Sequence, residues 1–306
     1  TGNPAEHLSP SHVGCRMPPD PIFDTMTGGE TILGNSSRGC GVGTRQLCSP
    51  TDIFMTSTNH LYIVDSGNRR IQKYNLEDQS VETVIGSVKL REPISVYVVG
   101  GGTDEEIYVL DRVNRTDFVV KLWKNKNDID GTIVIPSDSE IYYDLYLDGN
   151  SNIYLSTYYE IKKWFAPDYG YGIIIAQFHS QENSVPIYVD EDYNLYFYDC
   201  AEPEIQMWPI GGAVEPSFKR TFASLRSTET DGPIGFTLDC NNNIYFSVRV
   251  NKSHYAIFRV NQQVNGKIET VLLNPSYISA IQFDQYGNLY VSGRQEHQIR
   301  KFAVLN

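Results

Sequence analysis

Residues 60–74 read HLYIVDSGNRRIQKY, and variants of this phrase occur five more times along the 306-residue chain. Each copy centres on a tyrosine, and successive copies lie 42 to 49 residues apart. The six tyrosines are Tyr62, Tyr108, Tyr154, Tyr196, Tyr245 and Tyr290. Repeats of this length, built from short β-branched and aromatic runs between Gly, Asn and Asp turns, are typical of four-stranded propeller blades. The repeat therefore predicts an all-β, six-bladed β-propeller.

The ends of the chain predict how the ring closes. The first unit contains four predicted strands, at 52–56, 61–65, 70–75 and 81–86. The sixth unit stops after its third strand at Asn306, whereas GETILG at 29–34 matches the fourth strand VETVIG of the first unit. We expect this N-terminal strand to complete the last blade and leave no long unpaired edge. Residues 29–306 then form one domain, and residues 1–28 form an N-terminal extension.

The first unit resembles a known repeat. TILGNSSRGCGVGTRQLCSPTDIFMTSTNHLYIVDSGNRRIQKYNL, at 31–76, is similar to an NHL repeat in its Gly-rich loop, Ser-Pro entry to the inner strand and Asn-Arg-Arg-Ile ending. The resemblance covers about residues 29–306 and is weakest in the third to fifth units. It implies a six-bladed propeller family with protein-binding and RNA-binding members, similar in architecture to the peptidyl-amidating lyase, strictosidine synthase and lactonase enzymes. Since one fold hosts many activities, the resemblance does not name this chain's function.

Charge and sequons predict the compartment and exclude some partners. The formal net charge of -12 would repel a phosphate backbone, and no run of 18 apolar residues suits a membrane span. The chain begins at Thr1, as a processed mature protein would. Three Asn-x-Ser/Thr sequons start at Asn35, Asn114 and Asn251. We therefore predict a secreted glycoprotein whose signal peptide has been removed, with neither nucleic acid nor membrane as a partner.

The five cysteines fit an oxidising compartment. In propellers of this kind, the loops between blades and the loops between second and third strands share the top face. Cys40 and Cys48 then flank one top loop, and we expect them to form a disulfide. Cys200 in a top loop and Cys240 in a bottom turn are too far apart to pair. Cys15 is able to reach Cys240 from below, which leaves Cys200 free, but the pairing of these three stays open.

Three segments resemble the start of a calcium loop. They are DGNSN at 148–152, DEDYN at 190–194 and DCNNN at 239–243. All three lack the glycine and the distal glutamate that an EF-hand loop needs. Each falls between the first and second strands of its blade, where Asp and Asn are ordinary turn residues. We therefore predict hairpin turns.

The inner strands contain an unusual pattern. When their starts are aligned, the third and fifth residues should face the central channel, because strand side chains alternate. The third residues are Asp52, Ser95, Asp144, Pro186, Gly235 and Ala280. The fifth residues are Phe54, Tyr97, Tyr146, Tyr188, Thr237 and Gln282. NHL repeats commonly have Gly and Ala in both positions, so the resemblance implies that this channel is remodelled.

Two interpretations of these positions stay open. In the first, the aromatic side chains only fill the channel and the aspartates are solvated. In the second, the side chains form a cup that binds a small, aromatic organic molecule. Asp52 and Asp144 are then the candidate general base or the ligands of a Ca²⁺ ion, and no cofactor is otherwise required. The candidate substrate-binding residues are Phe54, Ser95, Tyr97, Tyr146, Tyr188, Thr237 and Gln282.

Two function classes follow. The small-molecule site is compatible with a hydrolase, a lyase or a cofactor-free oxidase, including a light-emitting one, and the sequence contains no Gly-x-Ser-x-Gly, His-Glu-x-x-His or Cys-x-x-Cys motif to select among them. The alternative is a non-catalytic extracellular module that binds another protein, a common use of repeat scaffolds. We favour the small-molecule site, because glycans on the three top-loop sequons would hinder a broad protein footprint and spare a narrow central pocket.

Overall fold

The computed structural model describes residues 16–25, 28–35, 39–101, 104–124, 128–177, 185–199, 204–210, 220–224, 233–251, 254–261, 267–274 and 276–305. Within these residues, six four-stranded antiparallel sheets form the blades of a β-propeller. The inner strands of neighbouring blades contact one another around a closed ring. The predicted six-bladed, all-β fold is confirmed.

Each blade has an inner strand, a second and a third strand, and an outer strand. Blade 1 comprises Asp52–Met55, His60–Asp65, Arg70–Asn75 and Val81–Ile85. Blade 2 comprises Pro93–Val99, Glu106–Arg112, Phe118–Trp123 and Thr132–Ile135. Blade 3 comprises Asp144–Leu147, Ile153–Ser156, Glu160–Trp164 and Gly172–Gln177.

The remaining blades follow the same order. Blade 4 comprises Ile187–Val189, Asn194–Asp199, Glu204–Pro209 and Arg220–Ser224. Blade 5 comprises Pro233–Leu238, Ile244–Asn251, His254–Asn261 and Lys267–Asn274. Blade 6 comprises Ile278–Phe283, Leu289–Gly293 and Gln298–Phe302, with Glu30–Gly34 as its outer strand. The described part of the chain contains no helix with the length and hydropathy of a membrane span.

The ring closes through the N-terminal strand, as predicted. Glu30 lies opposite Lys301, and Gly34 lies opposite Gln298. Gly34 has a φ of +84°, and a Cβ at this position would lie 2.0 Å from the carbonyl oxygen of His297. Only glycine fits such a close approach at a positive φ. The GETILG sequence is therefore suited to end this strand where blade 6 meets the top loop.

The repeated tyrosines pack between blades, and each of the six is at most 4% exposed. In blades 3, 4 and 6, the tyrosine hydroxyl donates to the aspartate of the bottom turn that precedes its strand. These pairs are Tyr154 with Asp148 at 2.8 Å, Tyr196 with Asp190 at 3.0 Å and Tyr290 with Asp284 at 3.0 Å. In blades 1 and 2, Tyr62 donates to Glu105 and Tyr108 donates to Glu106. The tyrosines are packing and hydrogen-bonding elements of the blades.

The calcium-loop-like segments are hairpin turns, as predicted. The Asp148 carboxylate accepts hydrogen bonds from the backbone N–H groups of Asn150 at 2.9 Å and Asn152 at 3.0 Å. Asp239 accepts from the N–H groups of Asn241 and Asn243, both at 2.8 Å. Side-chain oxygens that bond their own turn in this way stabilise tight hairpins.

Residues 16–25 lie across the bottom of blades 5 and 6, a placement that the sequence did not predict. Ile22–Phe23 pairs in antiparallel fashion with Val304–Leu305, which follows the last blade strand. Phe23 is only 6% exposed, and its ring lies 6.4 Å from that of Tyr245 and 6.0 Å from that of Phe283. This part of the extension therefore belongs to the packed structure.

The disulfide between Cys40 and Cys48 is confirmed, with a Cα–Cα distance of 4.4 Å. It closes the top loop that enters blade 1, and the Arg70 guanidinium donates to three backbone carbonyls of this loop. Cys240 is also disulfide-bonded. Cys15 and Cys200 lie outside the described residues.

Candidate functional site

A cavity of about 390 Å³ opens at the top of the central channel, where the inner strands begin. All six residues of the third position line it, namely Asp52, Ser95, Asp144, Pro186, Gly235 and Ala280. Five residues of the fifth position also line it, namely Phe54, Tyr97, Tyr146, Tyr188 and Gln282. Thr237 does not line it. The structure thus brings together residues from all six inner strands.

Four aromatic rings form a continuous arc across blades 1 to 4. The ring centroids of Phe54 and Tyr97 are 4.5 Å apart, those of Tyr97 and Tyr146 are 4.9 Å apart, and those of Tyr146 and Tyr188 are 5.0 Å apart. Tilted and edge contacts at these distances are favourable for aromatic pairs. Because the fifth position lies deeper along each strand than the third, this arc is the floor of the cavity.

Asp52, Ser95 and Asp144 form a hydrogen-bonded chain above that floor. The Ser95 hydroxyl lies 2.7 Å from Oδ2 of Asp52 and 3.1 Å from Oδ1 of Asp144. A hydroxyl has a single proton, so it donates to only one of these carboxylates. The second contact is a hydrogen bond only when the other carboxyl group is protonated and donates to the Ser95 oxygen. The arrangement therefore suits two carboxyl groups that share one proton.

Both carboxylates also connect neighbouring blades. The backbone N–H of Val96 in blade 2 donates to Asp52 of blade 1 at 3.0 Å. The backbone N–H of Ile187 in blade 4 donates to Asp144 of blade 3, also at 3.0 Å. These bonds hold the two side chains in a fixed orientation toward the cavity. The aspartates thus have a structural role in addition to any chemical one.

The pKa values of both aspartates are raised toward neutrality. Burial raises the pKa of Asp52 from 3.8 to about 6, against the opposing effect of the hydrogen bonds from Ser95 and Val96. Burial, and then the negative charge of Asp52, raises the pKa of Asp144 to about 7. A carboxyl pair with such values is partly ionised at neutral pH. It is able both to accept and to donate a proton there.

The opposite wall is apolar and close-packed. Pro186, Gly235 and Ala280 occupy the third position in blades 4, 5 and 6. A Cβ on Gly235 would lie 3.0 Å from the Cα of Ala280, so the inner strands of blades 5 and 6 approach too closely for a larger residue. The cavity therefore has carboxyl groups on one side and a smooth apolar wall on the other.

The rim of the cavity contains residues that the sequence analysis missed. Arg112 is ion-paired with Glu92, with Nε and Oε2 2.8 Å apart. Tyr143 packs its ring 4.3 Å from that of Tyr158, and Arg294 is exposed across the opening. Three of these residues, Arg112, Tyr158 and Arg294, lie four positions after the repeated tyrosine of their blades. An alignment of the blades at this position, four residues after the repeated tyrosine, could have predicted these residues.

A Ca²⁺ ion at Asp52 and Asp144 stays a prediction, because the pair supplies only four carboxylate oxygens. Calcium takes six to eight oxygen ligands. All four carboxylate oxygens of Asp52 and Asp144 already accept hydrogen bonds, including one each from the N–H groups of Ile53 and Leu145. Across the described residues, no group of three or more His, Cys, Asp or Glu side chains is placed to hold a metal ion.

The three sequon asparagines, Asn35, Asn114 and Asn251, are exposed. Asn35 follows the outer strand of blade 6, and the other two lie where second strands turn into third strands. These positions are all on the top face, around the cavity opening.

Comparison with known proteins supports the fold. The NHL repeat model matches residues 47–74. The chain is similar to a gluconolactonase from Xanthomonas campestris, at 14% identity over 98% of this chain and 99% of that chain, with a TM-score of 0.60. It is also similar to a luciferin-regenerating enzyme, at 13% identity over 94% of this chain and 96% of that chain, with a TM-score of 0.64.

A third similar structure is an auxiliary nutrient binding protein from Bacteroides thetaiotaomicron, at 11% identity over 90% of this chain and 76% of that chain, with a TM-score of 0.63. No curated protein matches the chain significantly by sequence. Similarity at these identities shows the fold, which is a six-bladed β-propeller that contains an NHL repeat.

Proposed function

We propose that this protein binds a small organic molecule with an aromatic ring in the top cavity and transforms it by proton transfer to the Asp52 and Asp144 pair. The observation that supports this most directly is the chain of Asp52, Ser95 and Asp144, which holds two carboxyl groups with pKa values of about 6 and 7 inside an aromatic-floored cavity. A general base works best when its pKa lies near the working pH.

The floor and the carboxyl pair have separate roles in this proposal. The rings of Phe54, Tyr97, Tyr146 and Tyr188 contact the aromatic part of the ligand and exclude water. Ser95 transmits the proton between the aspartates, and the polar Gln282 on the opposite side orients the ligand. Thr237 has no assigned role, because it is buried outside the cavity lining.

The proposed step is common to several reaction classes. An ionised aspartate removes a proton from an acidic O–H, N–H or C–H group of the ligand and becomes a neutral carboxyl group, while the ligand keeps the electron pair. Elimination by a lyase begins with such a deprotonation of the ligand, whereas in hydrolysis the same base would take a proton from the attacking water. Cofactor-free oxidation of an electron-rich ring would also begin with deprotonation of the ligand, and molecular oxygen would then have to accept the electrons. Similar folds include proteins named as a gluconolactonase and a luciferin-regenerating enzyme, which supports small-molecule chemistry in this architecture.

We also propose that the protein is secreted and glycosylated. The Cys40–Cys48 disulfide and the disulfide of Cys240 fit an oxidising compartment. The exposed sequons at Asn35, Asn114 and Asn251 would place glycans around the cavity opening without filling it. The acidic net charge and the acidic cavity favour neither nucleic acid nor an anionic membrane as a partner.

The proposal is tested by combining Asp52→Asn with Asp144→Asn. Asparagine keeps one acceptor oxygen for the inter-blade N–H groups, so we expect the double variant to fold. Native mass spectrometry of protein from the natural source should detect a small molecule on the wild type. The double variant should lose turnover of that molecule, and its affinity should fall at least tenfold.

A matched control combines Asp78→Asn with Asp168→Asn. These two exposed aspartates lie in bottom turns between third and outer strands and change the net charge by the same amount. The control should keep full activity. Unchanged turnover in a folded Asp52→Asn, Asp144→Asn protein would refute the proposal.

A non-catalytic protein-binding module is the second candidate function. The observation that favours it is the set of exposed apolar side chains on the outer edges of blades 2 and 3, where Ile133 is 54%, Tyr171 70% and Ile174 49% exposed. Apolar side chains on a strand edge are a common basis for association. A stoichiometric protein partner that binds the wild type and the double cavity variant equally well would support this candidate and leave the cavity unexplained.

A further inference from the structure

The two walls and the floor of the top cavity together restrict the charge of its ligand. Asp52 and Phe54 lie two residues apart on one inner strand, as do Asp144 and Tyr146 on another. Residues with this spacing project from the same face of a strand, roughly 6–7 Å apart along it. Each carboxyl group therefore lies next to an aromatic ring of the floor. Carboxylates beside aromatic faces are the surroundings that stabilise an organic cation, through ion pairing and cation–π attraction.

We propose, building on the function proposed above, that the ligand of this cavity is an aromatic amine that binds as its ammonium form, with the ammonium group at Asp52 and Asp144 and the ring on the aromatic floor. The hydrogen-bonded arrangement carries this inference. With both carboxyl groups ionised, the single Ser95 proton satisfies only one of the two contacts that Ser95 makes. An ammonium group brings three N–H donors and one positive charge. An ammonium group therefore supplies both properties of the shared proton, namely hydrogen-bond donation to the two carboxyl groups and a positive charge.

The remaining charged groups around the cavity do not oppose the binding of a cationic ligand. Arg112 is neutralised by its ion pair with Glu92. Arg294 is exposed at the rim, where water and salt screen its charge. Among the described residues that line the pocket there is no other Lys, Arg or His. The net charge of -12 further attracts cations toward the protein.

The same groups determine the pH dependence of binding. The carboxyl pair faces Glu92, Arg112 and Arg294, together with the phenols of Tyr97, Tyr143, Tyr146, Tyr188 and Tyr277. Burial raises the pKa of Tyr97 and Tyr146 further above neutrality, and arginine stays charged. Among the described residues of the cavity, Asp52 and Asp144 are therefore the groups whose protonation we expect to change between pH 5 and pH 8. Amine affinity should rise over this interval, because an amine stays protonated while the carboxyl groups lose their protons.

The inference is tested by calorimetry with three phenols of matched size: tyramine as the cation, 4-ethylphenol as the neutral compound and 3-(4-hydroxyphenyl)propionate as the anion. At pH 7.5, we expect tyramine to bind the wild type at least tenfold more tightly than 4-ethylphenol, and the propionate to bind most weakly. Tyramine affinity should rise at least tenfold from pH 5 to pH 8. Titrations at pH 6.5 in buffers of different ionisation enthalpy should show that tyramine binding releases protons.

Two variants make the result specific. In the Asp52→Asn, Asp144→Asn protein, tyramine and 4-ethylphenol should bind within twofold of each other, with circular dichroism and the melting temperature reporting that the variant is folded. The Asp78→Asn, Asp168→Asn control should keep the full preference for tyramine. This control changes the net charge equally, so it separates the local carboxyl pair from the overall field of the protein.

The outcomes distinguish this inference from the proposed function. If 4-ethylphenol binds as tightly as tyramine, the cavity takes an aromatic molecule, the function stands and the amine inference is wrong. Micromolar binding of Ca²⁺ that displaces tyramine would also overturn the inference and assign the carboxyl pair to a metal. If none of the three phenols binds at 10 mM, the inference fails, and the mass of any molecule on the native protein then decides the proposed function separately.

Discussion

Asp148 and Asp144 lie at opposite ends of one inner strand and differ in the charged groups around them. Asp148, in the bottom turn of blade 3, is 4% exposed and surrounded by protein donors. It accepts hydrogen bonds from the backbone of Asn150 and Asn152 and from the hydroxyl of Tyr154, and Lys163 lies 3.4 Å away. Asp144 lies four residues earlier, at the top of the same strand, and no salt bridge to it occurs among the described residues. Burial, and then the negative charge of the neighbouring Asp52, raises its pKa.

This difference separates structural carboxylates from the pair that we assign to chemistry. A carboxylate such as Asp148 has several N–H and O–H donors and a nearby lysine as partners. Asp52 and Asp144 also accept hydrogen bonds from N–H and O–H donors, but among the described residues no salt bridge joins either of them to a lysine or arginine, and the two carboxyl groups share contacts to one serine hydroxyl. Both kinds make hydrogen bonds within the fold, because Asp148 accepts from its hairpin turn and Asp144 accepts from the N–H of Ile187 in the next blade. Only the second kind faces a cavity.

The largest effect that we expect is a loss of folding stability when Asp148, the aspartate of the bottom turn, is replaced. Asp148→Ala leaves two turn N–H groups, the hydroxyl of Tyr154 and the ammonium of Lys163 without their acceptor. Removing one partner of a buried, hydrogen-bonded ion pair costs about 3–5 kcal/mol. Urea denaturation should show a loss of this size, while ligand affinity measured on the folded protein should be unchanged. A loss below about 1 kcal/mol would mean that the turn does not depend on this carboxylate.

The next effect concerns the pH dependence of stability at the cavity. The raised pKa values of Asp52 and Asp144 mean that the folded state holds protons more tightly than the unfolded state, whose carboxyl groups titrate near 3.8. The wild type therefore loses stability as the pH rises from about 4 toward 7, and the amides of the Asp52→Asn, Asp144→Asn variant do not titrate. The variant should gain about 2–4 kcal/mol relative to the wild type between pH 5 and pH 8.

Urea denaturation at half-unit pH intervals measures this difference, with Asp78→Asn, Asp168→Asn as the reference for the same change of net charge at exposed positions. A stability difference between the cavity variant and the wild type that stays constant from pH 5 to pH 8 would show that the pair titrates normally. The cavity would then lack the base that the proposed function needs.

The smallest effect that we expect is the loss of stability when the hydroxyl of Tyr154 is removed at the bottom turn. Tyr154→Phe removes the donor that lies 2.8 Å from Asp148 and leaves the ring in place. A hydrogen bond to a charged group contributes about 1.5–3 kcal/mol, so we expect a loss near the lower end of that range. Tyr171→Phe is the matched control, because Tyr171 is 70% exposed. Equal stability of both variants in thermal denaturation would contradict a structural role for the tyrosine and aspartate pairs.

Much of the fold followed from local patterns. The strand runs alternate with period two, and the turns between them have Asp, Asn or Gly, so the blades and their order were predictable from residues such as Tyr62 and Asp148. The match between residues 29–34 and 81–86 predicted the ring closure for the same reason. The cavity-lining positions were predicted from strand alternation as well, with the exception of Thr237.

Contacts between blades were not predictable in this way. The donation of the Val96 N–H to Asp52 joins residues 44 positions apart, and its geometry depends on how closely blades 1 and 2 approach. The position of Ser95 between two carboxyl groups depends on three blades at once. The docking of Phe23 under blades 5 and 6 likewise depends on a surface that exists only after the ring has formed.

The sequence by itself determined six blades, the strand that closes them, the Cys40–Cys48 disulfide and a ring of aromatic and acidic residues at the channel. Periodicity and turn chemistry are local properties, and a repeated local pattern fixes a repeated unit. Only the tertiary structure decided that Asp52 and Asp144 share a serine hydroxyl and face an open cavity. It also decided that burial raises the pKa of Asp52 to about 6, and that burial and the charge of Asp52 raise the pKa of Asp144 to about 7. Desolvation and charge coupling depend on distances across blades, and those distances are set when the ring closes.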